Sequence, residues 1–215
     1  MTRLRRVPPG RGGRLWLQHR LAVAASGANL LDQKLRILHG EAHRLALVAE
    51  RTGATWEKAV READTWLVRT VLLGGERAVR LATGGDEADV GISWAATMGV
   101  RYPVGATCSV PVRPPSAVPP TSAALVAARG AAQRAVDAAV QHAVAEAAAR
   151  ILAAEESATR RRLRAINDRW IPKMATALAE AQQVLEQQER EDDIRLRWAH
   201  AGRAEPAAGP RTEEP

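Results

Sequence analysis

His39 and His43 stand four residues apart in the stretch HGEAH, with Glu41 between them. On a helix that spacing puts both imidazoles on one face, where they could hold a metal ion. The order is not HExxH and no third ligand is evident, so a solvated helix face is the better reading. Two glycine pairs, Gly74-Gly75 and Gly84-Gly85, invite comparison with phosphate-binding loops. Neither is followed by Gly-Lys-Ser/Thr or set between a strand and a helix, so nucleotide binding is not expected. Cys108 has no activating histidine nearby in sequence. As the single cysteine it excludes an internal disulfide and suits a reducing compartment. The run Thr159-Arg160-Arg161-Arg162 is a dense basic cluster with three readings: a solvated face, a nucleic-acid contact, or contact with an acidic protein surface. Leu163, Ile166 and Trp170 interleave with it and favour helix packing over base stacking. The stretch 186–197 mixes both signs, which ill suits a polyanion. No catalytic residue, cofactor site or metal site emerges.

The elements that carry these residues are helical. Of 215 residues, 46% are hydrophobic, but there is no Phe and one Tyr, against six Trp. That is little aromatic volume for a large globular core, and helices in an elongated packing ask less of it. The formal charge of +7, almost all of it arginine on the basic side, favours an acidic partner surface without naming one. The first residues are basic, with no apolar run after them, so no secretory signal is read there. No stretch reaches the roughly 18 apolar residues of a membrane span.

Residues 1–13, rich in Pro, Gly and Arg, are expected to form a flexible basic arm. From Arg14 a helix begins. Leu17, Leu21, Ala24, Ala28, Leu31, Leu35, Leu38, Ala42 and Leu45 alternate in steps of four and three. That is the seam of a left-handed coiled coil. The helix runs to residue 73 and stops at Gly74-Gly75, with Gly53 either tolerated or marking a bend. Residues 74–120 form a small middle module. Val90, Ile92, Trp94 and Val100, Tyr102, Val104 alternate at period two around a turn, a short hairpin, and a proline-rich connector follows. A second helix spans 121–201, with Thr121 or Ser122 as N-cap. At 1.5 Å per residue it would be on the order of 120 Å long and needs another helix to lie against. Its first half carries a stripe of Val136, Val140, Ala143, Ala147, Ile151 and Ala154. Its second half carries Leu163, Ile166, Trp170 and Met174, whose spacing drifts from seven toward eleven and unwinds a supercoil. Pro172 should kink or break this helix, at about 3 kcal/mol. Residues 202–215 read as a disordered tail. The fold class expected is mainly α: a long antiparallel two-helix coiled coil of the N- and C-terminal helices, its far end capped by the middle module with its β-hairpin.

The chain resembles the D subunits of V-type/A-type ATPases, the central rotor stalk. The likeness rests on Pro8-Pro9 with LWLQHRLAVAASGANLLDQKL, where Leu21, Gly27, Leu30, Leu31 and Lys34 match. It continues in Met98-Gly99-Val100-Arg101 with Pro103, in TRRRLRAINDRWIP from Thr159 to Pro172, and in Glu189-Arg190-Glu191 with Arg195-Leu196. Gly10, Asp32, Arg164 and the pair Asp193-Ile194 depart from the family's usual residues. The resemblance implies a non-catalytic axle that couples ATP synthesis or hydrolysis to ion translocation, by default of protons. It implies a peripheral place on the cytoplasmic side of the membrane, with no direct membrane insertion and no nucleic acid. Its implied partners are the A and B subunits of the ATPase head, the small stalk partner known as the F subunit, and a socket protein on the membrane ring. Head contacts would fall to Arg3, Arg5, Arg6, Arg190, Arg195 and Arg197, and stalk-partner contacts to Met98, Gly99, Val100, Arg101, Tyr102 and Pro103. The other rotary axle with two terminal helices, the gamma subunit of F-type ATPases, carries a larger α/β domain for which residues 74–120 are too few. A basic coiled-coil protein that binds nucleic acid, or a coiled-coil adaptor, is the alternative from a different class.

Overall fold

A computed structural model of the chain describes residues 7–83, 87–110 and 122–204, the side chains of 201–204 aside. Helix α1 spans Gly10–Ala82, strands β1 and β2 span Asp89–Thr97 and Val100–Ser109, and helix α2 spans Ala123–Ala165. A π turn over Ile166–Trp170 leads into helix α3, Ile171–Ala204. Thus α1 begins at Gly10, ahead of the Arg14 expected from composition. Ser122 caps α2, its Oγ accepting from the Leu125 N–H at 3.2 Å. The chain divides into two units, Leu31–Arg161 and the combination of Met1–Leu30 with Arg162–Pro215.

In Leu31–Arg161, α1 and α2 run antiparallel. Cross-helix partners rise along α2 as they fall along α1: Glu62 with Arg134, Thr52 with His142, His39 with Glu156. The buried residues of α2 are Ala124, Ala128, Ala131, Ala145, Ala148, Leu152 and Thr159. Most fall on one heptad position. This is not the stripe expected from sequence: Val136, Ala143 and Ala154 are exposed, and Val140, Ala147 and Ile151 only half-buried. In so alanine-rich a helix several stripes satisfy a seven-residue period equally, and the partner surface selects among them.

The hairpin does not cap an end. Its Tyr102 is buried in a cluster with Leu38, Ala42, Leu45, Ala148 and Leu152, flanked by half-buried Ala95 and Val100. Further back along β2, the Ala106 carbonyl accepts from Gln141 Nε2 at 2.8 Å. The ribbon therefore lies lengthwise on the helix pair. Alanines at 42 and 148 leave a shallow surface, and the only tyrosine ring of the chain supplies the volume they lack. Its hydroxyl is within 3.3 Å of Thr97 Oγ1. Of the two alternating faces, the one carrying Val90, Ile92 and Trp94 is exposed, while Ala95 and Tyr102 turn inward. Register slips by one residue between Ser93 and Trp94, which admits Pro103 opposite Trp94 at a bulge.

Met98 and Gly99 form the two-residue turn, with φ of 52° and 79°. Positive φ at both central positions gives the twist that matches paired strands. Ahead of the ribbon in sequence, Gly75 leaves the helical conformation (φ 70°, ψ 167°) inside α1. That backbone region is open essentially to glycine alone. It redirects the last turns of α1 before the chain enters β1.

In the second unit, Leu17 and Ala28 of α1 and Met174 and Leu185 of α3 are buried. Pro172 does not break the helix. Ahead of it the Ile171 N–H bonds to the Ile166 carbonyl, one residue wider than an α turn. Proline has no N–H to give and its ring crowds the carbonyl four residues back. A widened turn accommodates both. The extra residue also shifts the inward positions: Trp170, expected on the seam, is 43% exposed, and Ile171 is half-buried in its stead.

Replacing Tyr102 by Ala should destabilise the chain by about 3–5 kcal/mol, as for other large aromatic truncations. Tyr102→Phe should cost about 1 kcal/mol or less, since only the long Thr97 contact is lost. Denaturant titration followed by circular dichroism measures both; equal losses would show that the ring's packing is not what matters.

Candidate functional site

Among the described residues the candidate metal and nucleophile groups do not come together in space. His39 Nδ1 lies 3.0 Å from Glu156 Oε1, and His43 is exposed. Among the described residues no group of three metal-ligating side chains comes together. Cys108 is half-buried on β2. Gly84-Gly85 lies outside the described residues. What the geometry does assemble is a set of cross-helix fastenings.

The most specific is centred on His142 of α2. A Cβ built on Gly53 would stand 3.1 Å from the His142 ring, so the missing side chain is the notch that admits the imidazole. Trp56, one turn further along α1, stacks on the same ring with centroids 5.5 Å apart and planes 20° from parallel. Thr52 Oγ1 donates to the carbonyl of Val48 or Ala49, at 3.0 and 3.1 Å. Its hydrogen is thus committed to the backbone. The 3.3 Å contact with His142 Nδ1 is then one in which Nδ1–H donates to the hydroxyl, which sets the tautomer. A ring held on three sides opposes axial sliding of the alanine seam.

Ion pairs add to this. Lys34 Nζ meets Glu155 Oε1 at 3.1 Å, both only about a quarter exposed. Glu156, 13% exposed, receives His39 from α1 and Arg160 from its own helix. Arg134 and Glu62 meet at 2.6 Å but are well exposed, where such pairs contribute little. Thr159 is fully buried and its Oγ1 has no hydrogen-bond partner among the described residues.

An antiparallel pair of terminal helices with a hairpin between them is an arrangement that comparison with known proteins can place. A family model that describes the D subunits of ATP synthases matches residues 15–201. The chain belongs to the family of ATP synthase D subunits. It is also similar to the D subunit of the V-type ATP synthase of Anaeromyxobacter sp. (strain Fw109-5), at 28% identity over 203 residues, covering 92% of this chain and 94% of that protein. Family membership makes the chain a component of an ATP synthase complex.

In this member of the family, the residues singled out from sequence fall as follows. Of the seam, Leu17, Ala28, Leu38, Ala42, Leu45 and Met174 are buried, while Leu21, Ala24, Leu31, Leu35, Leu163 and Ile166 are half-buried. Of the six arginines assigned to the head, Arg3, Arg5 and Arg6 lie outside the described residues. Arg190 is exposed beside Glu186 at 3.5 Å, Arg195 lies 3.4 Å from Asp192, and Arg197 is exposed. At the hairpin tip Met98 is 48% exposed and Arg101 lies over the Trp94 ring, 4.8 Å from its centroid. Tyr102 and Pro103 are buried, so the tip offers Met98, Gly99 and Arg101 outward. Sequence reasoning passed over His142, Gly53 and Trp56 as a group. Their meeting depends on the axial register of two helices, which no local pattern reports.

Two substitutions check this account. Gly40 faces open space, so Gly40→Ala should stabilise by about 0.5–1 kcal/mol through backbone entropy. Gly53→Ala should lose that gain against the imidazole and recover it in a His142→Ala background. A double-mutant cycle by thermal denaturation reads the coupling. Separately, Thr159→Val removes a buried hydroxyl with no partner among the described residues and should raise stability by about 1 kcal/mol; a lower melting temperature would mean the hydroxyl is satisfied.

Proposed function

We propose that this chain is the central rotor axle of a V/A-type ATPase, coupling ATP synthesis or hydrolysis in a catalytic head to ion translocation, with protons as the cargo. The observation that carries the reading is the family match over residues 15–201, joined to the antiparallel pairing of α1 with α2 in Leu31–Arg161. The similar Anaeromyxobacter protein, from a V-type ATP synthase, supports it. A shaft has to turn as one body, and fastenings such as His142 in the Gly53 notch resist sliding of one helix on the other. It also has to release each angular position. Exposed arginines on α3 suit that, because screened charge contacts exchange more readily than a dry apolar interface.

In this reading the chain performs no chemistry itself. Its partners are the A and B subunits of the head, the small F subunit of the stalk and a socket protein on the membrane ring. It sits peripherally on the cytoplasmic side, and no described helix is long and apolar enough to cross a membrane.

The test is retrieval of the tagged full chain from native membranes. ATPase head subunits and a small stalk protein should co-purify. Retrieval of the chain alone, or with nucleic acid, overturns the axle reading. In the retrieved complex, a disulfide between Glu62→Cys and Arg134→Cys, in a Cys108→Ser background, should leave ATP turnover within about twofold of the reduced form, because the two helices move together. Turnover that stops on oxidation and returns on reduction would mean that they must slide.

A further inference from the structure

Charge is segregated in the unit formed by Met1–Leu30 and Arg162–Pro215. Residues 1–31 contain no Asp or Glu, and Asp168 is the only one among residues 162–179. Further along α3 four carboxylates are engaged, Glu186 with Arg190, Glu189 with Arg11, Glu191 and Asp192 with Arg195, while Glu180 and Asp193 have no ion-pair partner among the described residues. Around the π turn the balance is reversed. Arg162, Arg164 and Arg169 are exposed and have no ion-pair partner among the described residues. Trp170 closes the turn and stands 43% exposed. Trp16, Trp66 and Trp94 each carry a guanidinium over the ring, whereas Trp170 carries none among the described residues, despite Arg169 beside it.

Three observations therefore coincide at and just before one turn: guanidinium groups with no ion-pair partner among the described residues, a large aromatic ring in water, and a π turn, a rare element found mostly at functional sites. Arginine beside tryptophan is the composition of energetic centres in protein interfaces. A polyanion would instead need a longer basic track, and this one gives way to mixed charge along α3.

We propose that Trp170, with Arg162, Arg164 and Arg169, forms a docking collar for an acidic protein surface, a carboxylate-bearing segment of the ATPase head. This rests on the axle reading. The guanidinium groups pair with side-chain carboxylates of the partner, and the Trp170 ring packs against the apolar part of the same segment. Charge pairing at the rim steers the approach, and the ring fixes the axial level of the contact.

The test places a photoactivatable benzophenone amino acid at position 170 of the tagged full chain. The chain is irradiated in native membranes, the complex is retrieved, and the adduct is mapped by peptide sequencing. The adduct should fall on a segment of the head with Asp or Glu within a few residues. Its yield should drop about tenfold with Arg162→Gln, Arg164→Gln and Arg169→Gln together, the loss expected for charge-assisted contacts. Arg129→Gln with Arg150→Gln, on the other unit, should leave it unchanged. Because the triple variant could fail to assemble, the unaltered arginine chain is also irradiated at low and high salt, where the yield should fall as salt rises. Head subunits retrieved with no adduct, or with an adduct on a neutral segment, on nucleic acid or insensitive to salt, overturn the collar and leave the axle standing. Retrieval without head subunits removes both.

Discussion

Two helices that meet through alanine come close together and bury little. The seam of α2 is Ala124, Ala128, Ala131, Ala145 and Ala148 before a leucine appears at 152. Each methyl group removes only a small apolar area from water. A slip by one heptad would exchange alanine for alanine in the first turns of α2, with Ala131, Ala135 and Ala138 taking the places of Ala124, Ala128 and Ala131. Close approach is therefore available at several axial positions, and the seam alone does not choose among them. The rest of the Leu31–Arg161 unit depends on features that do choose.

Those features are few and chemically distinct. Tyr102 reaches across from the hairpin and fills the surface left by Ala42 and Ala148, fastening both helices with one ring. His142 enters the notch at Gly53 and is held there by Trp56 and Thr52. Lys34 with Glu155 is a half-buried pair that would leave an unpaired charge if the helices shifted. The hairpin, which as an isolated two-stranded ribbon would be marginal, is in turn stabilised by lying on the helices it fastens. A helix pair assembled in this way, in Leu31–Arg161, has a close alanine seam and is still specific in register.

The second unit solves a different problem. Its helix passes Pro172 by opening one π turn, so hydrophobic positions step by five residues from Ile166 to Ile171 and then resume. The drift in spacing near Trp170 was visible in the sequence, and the proline that accompanies it was too. Their resolution was not. A proline can be met by a kink, a break or a widened turn, and the choice depends on what the inward face must keep touching. The widened turn leaves Trp170 facing water next to Arg169 in the chain, where a strict heptad would have carried it inward.

By itself the sequence determined the two long helices and the hairpin between them. Helical and strand periods are local properties, written in steps of three, four and two within a few consecutive residues. Ser122 as a cap is equally local, whereas Gly74-Gly75, read as the end of the helix, only interrupts α1, which runs on to Ala82. Only the tertiary structure decided which stripe of α2 is buried, where along the helices the hairpin rests, and that His142 meets Gly53. Each of these is a question of volume matched across tens of residues: a ring against two alanines, an imidazole against an absent side chain. The sequence contains both halves of every match, but nothing local says which half belongs with which, and only packing the halves together excludes the alternatives.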